Sequence, residues 1–224
     1  AMTRLGSYFS AATMYGERTA GLSFFEFIKK LAAANEAETD KHIEMLETVA
    51  KKLFTRANMS VMLSGEDEQY SAARLALPAI TDALEAGEKQ DNRPAFVKNA
   101  KNEGVMTPGD VQYCAQGYNM AELGFGYDGA TAVMKTILAT DYLWNRIRVL
   151  GGAYGAILTI RPNGTFLLSS YRDPNLENTY KVYDGMAEYL EKFDPSRREM
   201  DKYILGTLQE LDAPKVGQLA HSTA

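Results

Sequence analysis

The stretch Gly151-Gly152-Ala153-Tyr154-Gly155-Ala156-Ile157-Leu158-Thr159-Ile160, then Arg161-Pro162-Asn163-Gly164, then Thr165-Phe166-Leu167-Leu168-Ser169-Ser170-Tyr171, decides the fold class. Two runs rich in β-branched and aromatic residues, 153–160 and 165–171, flank Asn163-Gly164, the strongest short hairpin signal in the chain. Upstream, helical spacing over about 130–148 carries Val133, Ile137 and Trp144, with Met134 and Leu138 alongside, and Gly151-Gly152 stops that helix. A long helix feeding a β-hairpin is therefore the central unit.

Working outward, Asn175 is placed to cap a helix in which Tyr180, Tyr183, Ala187 and Leu190 share a face, and Ser196 with Glu199 opens another carrying Met200, Tyr203, Ile204 and Leu208. Val216 to Ala224 reads as a frayed tail. On the other side, strand candidates lie near Val105 and over 111–116, which places Cys114 in a strand core. Residues 87–94 are polar and rich in breakers, so they read as an exposed loop. A helix precedes them, with Tyr70, Ala73, Leu77, Ile80 and Leu84 at helical spacing behind an acidic start at Glu66 to Glu68, bent at Pro78 and stopped at Gly87.

Met59 to Ser64 alternates like a half-buried strand. A helix over about 36–54 carries the apolar stripe Ile43, Leu46, Val49, Ala50 and Leu53, and an earlier one carries Phe24, Phe27, Ile28 and Leu31 behind a Ser23/Glu26 capping box. This order fits an α+β fold, a mainly antiparallel sheet with helices packed on one face.

Composition sets the outer bounds. The 224 residues are 46% hydrophobic and 24% charged, the range of a folded globular chain, and folding at this length removes roughly 70% of the unfolded surface from water. With 24 Lys plus Arg against 29 Asp plus Glu, the net charge of −5 has the wrong sign for wrapping a phosphate backbone, which excludes nucleic acid as the expected partner. No apolar run approaches the length of a membrane span, so no membrane partner is expected. Cys114 is the only cysteine, which favours a reducing, cytoplasmic setting. Ala1 before Met2 reads as a tag remnant, so the chain is expected to be part of a longer protein.

Few residues have the chemistry of a self-sufficient active site. Gly124-x-Gly126-x-x-Gly129 matches the dinucleotide pattern, but no buried strand precedes it and no acid follows at the ribose position, so the glycines read as a tight lead-in to the Ala130 helix. A hydrolytic zinc site needs about three ligands, whereas His42 and His221 are the only histidines and neither sits in H-x-x-E-H or H-E-x-x-H. His42 reads as a surface helix residue. Cys114 has no patterned His or Asp partner. What remains is Arg148-Val-Leu-Gly-Gly-Ala-Tyr154, where a helix ends in a guanidinium, two glycines remove bulk and a tyrosine opens a strand. Read without further context, it assigns Arg148 to the helix dipole and Tyr154 to the core.

Five strings carry a resemblance. They are Arg-Leu-Gly-Ser-Tyr-Phe-Ser at 4–10, Asn-Glu-Gly-Val-Met-Thr-Pro at 102–108, Leu-Trp-Asn-Arg-Ile-Arg-Val-Leu-Gly-Gly-Ala-Tyr-Gly at 143–155, Ser-Tyr-Arg-Asp-Pro-Asn-Leu at 170–176 and Ile-Leu-Gly-Thr-Leu-Gln-Glu-Leu-Asp-Ala-Pro at 204–214. In this order they resemble the presequence-protease branch of the pitrilysin/insulinase family of zinc metallopeptidases. The resemblance implies a C-terminal part of such an enzyme. Residues 1–55 would be the helical end of the preceding domain and 56–224 the last α+β domain, of the metallopeptidase α/β sandwich type, with its final segment truncated.

It also implies that Arg148, Gly151, Gly152 and Tyr154 bind substrate, with Arg148 and Tyr154 gripping the carbonyl oxygen beside the scissile bond as charge develops there. Zinc and the general base would belong to the N-terminal half of the same protein, with none held by this chain, and the partner would be an unfolded peptide. A non-catalytic peptide-binding or scaffold subunit is the competing reading.

Overall fold

A computed structural model of the chain describes residues 1–33, 36–89, 95–99 and 101–212. The expected tail at Val216–Ala224, with His221, and the centre of the 87–94 loop lie outside the described residues. The described residues divide into two compact units, one within residues 1–27 and 96–212, the other within residues 28–95.

The first unit holds the hairpin. Strands β1 (Ala115–Asn119), β2 (Gly155–Ile160) and β3 (Thr165–Tyr171) form an antiparallel sheet in the order β1-β3-β2. Register pairs Leu158 with Leu168 and Ile160 with Phe166 on one face, while Gly117 pairs with Leu167 on the other. The turn is not the two-residue type that Asn163-Gly164 suggests. Gly164 N–H donates to Arg161 O at 3.0 Å and Arg161 N–H to Thr165 O at 3.0 Å, a type I turn followed by a bulge. Pro162 supplies the negative φ of that turn, and the left-handed step falls on Gly164, at φ 86°.

Helix α1 (Met2–Gly6) lays Leu5 over Gly117 on the Leu167 face, and α2 (Ala11–Ala20) and α3 (Leu22–Ala32) follow it. Ser23 lies inside α3 and gives its N–H to Glu17 at 3.0 Å, so the expected Ser23/Glu26 box is replaced by a longer-range bond. The main helical layer covers the Leu168 face. Its entrance is set by Asp128, which caps α6 (Gly129–Ile137) by accepting from Thr131 N–H at 2.8 Å. A Cβ added at Gly124, Gly126 or Gly129 would meet nothing within 4 Å, so those glycines mark no tight approach.

From Leu138 to Leu150 the helix continues in π winding. Its buried residues Leu138, Tyr142, Leu143 and Ile147 are related by separations of four (138/142, 143/147) and five (138/143, 142/147), which i→i+5 winding brings onto one face. An α-period reading placed Trp144 on the apolar stripe; the wider repeat instead leaves it 44% exposed. Leu143 and Leu168 are fully buried and face Cys114, Leu158, Ile160 and Tyr183 across the core, each worth roughly 1.5–3 kcal/mol of burial.

The expected helix over 175–190 is two, α7 (Glu177–Asp184) and α8 (Met186–Glu191), broken at Gly185. Asn175 does not cap it. Helix α9 (Arg197–Leu211) opens with Ser196 and Glu199 capping each other, as expected. Asp141 accepts the Tyr203 hydroxyl hydrogen bond, which ties α9 to the π-helical stretch.

In the second unit, α4 (Glu36–Leu53) and α5 (Asp67–Thr81) occupy the two long helical stretches expected there. Arg56 N–H donates to Glu85 O at 2.8 Å and Ala57 N–H to Ala86 O at 3.0 Å, closing the unit beside buried Thr55. Helix α5 ends at Thr81, ahead of the expected Gly87 stop. Met59 to Ser64 is not a strand: it has no ladder partner among the described residues, and Val61, Met62 and Leu63 are exposed. Val105 is likewise outside any strand. The α4 stripe Ile43, Leu46, Val49 and Leu53 is open rather than packed. These changes leave the fold class intact, an α+β chain with a three-stranded antiparallel sheet.

Candidate functional site

The quoted helix-to-strand corner brings together the residues singled out from sequence. Gly151 ends the π-helical stretch, and Gly152 takes φ 80°, a left-handed step that a glycine adopts at little cost. Gly152 N–H donates to Arg148 O at 3.0 Å and Ala153 N–H to Ile147 O at 3.1 Å. Tyr154 N–H then donates to Tyr171 O at 3.0 Å, which aligns the chain for β2.

Arg148 folds back over this corner. Its guanidinium lies 4.5 Å from the Trp144 ring centroid and 5.4 Å from that of Tyr154, and Nη1 donates to the carbonyl oxygen of Tyr154. Tyr154 is 65% exposed, so the context-free reading that put it in the core is wrong for this fold. The result is a charged donor and a phenolic donor side by side at the surface, the charge held between two aromatic faces. Such a pair can donate hydrogen bonds to a carbonyl oxygen or to an oxyanion.

The rings continue beyond Tyr154. Tyr171 meets it edge to face at 5.8 Å, and Tyr113 meets Tyr171 the same way at 5.3 Å. Sequence reasoning missed Trp144 as a cation–π partner, although it sits four residues before Arg148 on one helix face. It also missed Tyr113 and Tyr171. Only strand pairing places these two side by side, through the bridge between Gln112 and Asp173.

A buried polar anchor fixes the corner from behind. Asp173 is fully buried and accepts from Asn175 N–H at 2.8 Å and from the Thr179 hydroxyl at 2.6 Å. The Asn175 side chain, freed from capping, donates to Gly151 O at 2.6 Å. Arg172 just before it holds φ 49°, an unfavourable conformation for a side chain with a Cβ. Cys114 is buried 3.7 Å from Asn175 O, and burial pushes its thiol up, away from the thiolate a nucleophile requires.

A second cluster joins two of the quoted strings. Arg4 donates from Nε and Nη2 to the two Glu103 oxygens at 2.8 Å each, Tyr8 donates to the same carboxylate, and Arg4 Nη1 reaches buried Glu17 at 3.4 Å. The Arg4 guanidinium and the Tyr8 hydroxyl hold Glu103 down at about 2.

Among the described residues no three His, Cys, Asp or Glu side chains group in a way that could hold a metal ion, and no described helix is long and apolar enough to cross a membrane. Residues 102–223 match the family model of the PreP C-terminal domain, a span that contains the entire Arg148–Tyr154 corner. The chain belongs to that family. It is 35% identical to Protein HypA of Clostridium perfringens over 96% of its own length and 22% of the relative's. It is also 27% identical to presequence protease 1, chloroplastic/mitochondrial, of Arabidopsis thaliana over 95% of this chain and 20% of that one. The mitochondrial presequence protease of Yarrowia lipolytica is 29% identical over 96% and 22% respectively.

This PreP C-terminal domain chain thus spans about a fifth of the length of the curated relatives it matches. It is the C-terminal part of a peptidase-family protein.

Proposed function

We propose that the chain is the substrate-holding C-terminal part of a zinc-dependent metalloendopeptidase that degrades unstructured oligopeptides, and that Arg148 and Tyr154 grip the peptide carbonyl beside the scissile bond. The carrying observation is the exposed corner in which Arg148, stacked between Trp144 and Tyr154, already donates to a main-chain carbonyl oxygen. A backbone carbonyl of a bound peptide presents the same acceptor. The Tyr154 hydroxyl and the remaining Arg148 N–H groups serve as donors whose bonds strengthen as negative charge develops on that oxygen. Gly151 lets the corner close, since a Cβ there would meet Ile147 O at 2.6 Å, and Gly152 supplies its left-handed step.

The described residues do not suit a zinc site, so zinc and the general base are assigned to the N-terminal half of the parent protein, and no step through the metal is derived from this chain. That half and the unfolded peptide are the proposed partners. A cytoplasmic location is proposed from the single, buried Cys114.

In a full-length protein containing this chain, Arg148→Lys should lower kcat/KM for a quenched fluorescent peptide by about 10- to 100-fold, because an ammonium loses the planar fork. An unchanged rate would overturn the assignment. The second reading is a non-catalytic scaffold or peptide-binding subunit of a two-part or pseudo-protease, favoured by the open apolar stripe of α4. An H-x-x-E-H string in the parent reading frame separates the two, supporting the enzyme.

A further inference from the structure

We infer that Tyr171 and Tyr113, which no part of the proposed reaction uses, are specificity-determining residues that favour peptides with large apolar or aromatic side chains at alternate positions beside the gripped carbonyl. This inference rests on the substrate-holding reading of Arg148 and Tyr154 and extends it along the peptide.

Tyr113 is 47% and Tyr171 44% exposed although both are large rings next to a well-packed core. Rings left at a surface in a continuous row, rather than singly, mark a surface that meets a partner. Here the row is continuous with the proposed grip: Tyr154 to Tyr171 at 5.8 Å and Tyr171 to Tyr113 at 5.3 Å, both edge to face. An extended peptide places same-side residues roughly 6.6 Å apart, two residues at about 3.3 Å each, close to the spacing of these rings. A peptide whose carbonyl is held at Tyr154 can therefore set successive same-side side chains against Tyr171 and then Tyr113.

The rings are also fixed in place before a peptide arrives. Tyr171 ends β3 and receives the Tyr154 N–H at its carbonyl, while Gln112 and Asp173 exchange two backbone hydrogen bonds of 2.8 and 2.9 Å that lock Tyr113 beside it. Buried Asp173 anchors that bridge from below. A tyrosine so held loses little side-chain freedom on contact, which favours apolar recognition. The occupant is therefore the peptide substrate, and the chemistry recognised is apolar surface rather than charge.

The test uses the full-length enzyme and paired quenched peptides that differ only by Phe or Ser at one position, moved stepwise along the sequence. At the positions that meet the rings, the wild-type enzyme should favour Phe over Ser by about 5- to 10-fold in kcat/KM, chiefly through KM. Tyr113→Ala should bring that ratio toward one at a single position, and Tyr113→Phe should restore it, because the ring and not the hydroxyl carries the preference. A ratio unchanged in Tyr113→Ala and in Tyr171→Leu would overturn the inference.

Tyr154→Phe is the separate control. Full activity in that variant would remove the grip at Tyr154 while a Tyr113-dependent ratio would still uphold the ring subsite.

Discussion

Arg4 and Glu103, 99 positions apart, are joined by two parallel hydrogen bonds of 2.8 Å. This bidentate pair draws the segment around Glu103 onto α1, and Asn99 N–H adds a bond to Tyr8 O at 3.0 Å. Two strings that looked independent in sequence are thus one structural unit.

The pair makes a pH-dependent contribution. Glu103 sits at about 2, below its ordinary 4.5, so its contribution is complete above about 4.5 and is lost as pH falls from there through about 2. The pair is partly exposed, so its size is on the order of 0.5 kcal/mol after solvent screening. Urea unfolding of wild type and Glu103→Gln should differ near pH 6 and converge only as pH falls to about 2. A gap that widens on acidification would contradict the pairing.

Asn175 is expected to matter to both stability and function. Its side chain bonds Gly151 O at 2.6 Å and so holds the corner that presents Tyr154. Asn175→Ala should cost about 1 kcal/mol in chemical unfolding and lower kcat/KM for peptide in the full-length protein. A variant as stable and as active as wild type would show that the corner holds without it.

Gly152 offers a cleaner test of the turn. At φ 80° a Cβ there would lie 3.6 Å from Pro174 Cγ, an ordinary contact, so Gly152→Ala should pay only the left-handed backbone cost of about 1–2 kcal/mol. Denaturation midpoints measure this directly. A neutral or stabilised variant would be inconsistent with the left-handed step.

Leu168 lies on the central strand at 0% exposure against Leu143 and Cys114. Leu168→Ala should lose about 2–5 kcal/mol in urea unfolding, since the surrounding core cannot close the gap fully. A loss below about 1 kcal/mol would place Leu168 outside the core.

The parts of the fold that were legible in sequence were those specified locally. Asn163-Gly164 between two strand-forming runs needs no distant partner to form a hairpin, and Ser196 with Glu199 cap each other within one turn. Met59–Ser64 has the pattern of a strand but no neighbouring strand among the described residues to complete its ladder, and pattern alone could not reveal that. Trp144 was misplaced because the helix changes from α to π winding after Ile137, which shifts every later residue around its axis. Arg148, Gly151, Gly152 and Tyr154 could be singled out from a contiguous string. Tyr113 and Tyr171 could not, because only the pairing of Gln112 with Asp173 brings them together.

In the proposed function Tyr154 donates to the substrate carbonyl as charge develops on it. The most direct measurement is kcat and KM of the full-length protein and its Tyr154→Phe variant on a quenched fluorescent peptide. A kcat lower by about 100-fold with KM little changed is expected for the variant, the signature of a bond made in the transition state. Equal kcat in the two proteins would contradict it and leave Tyr154 as one ring of an aromatic surface.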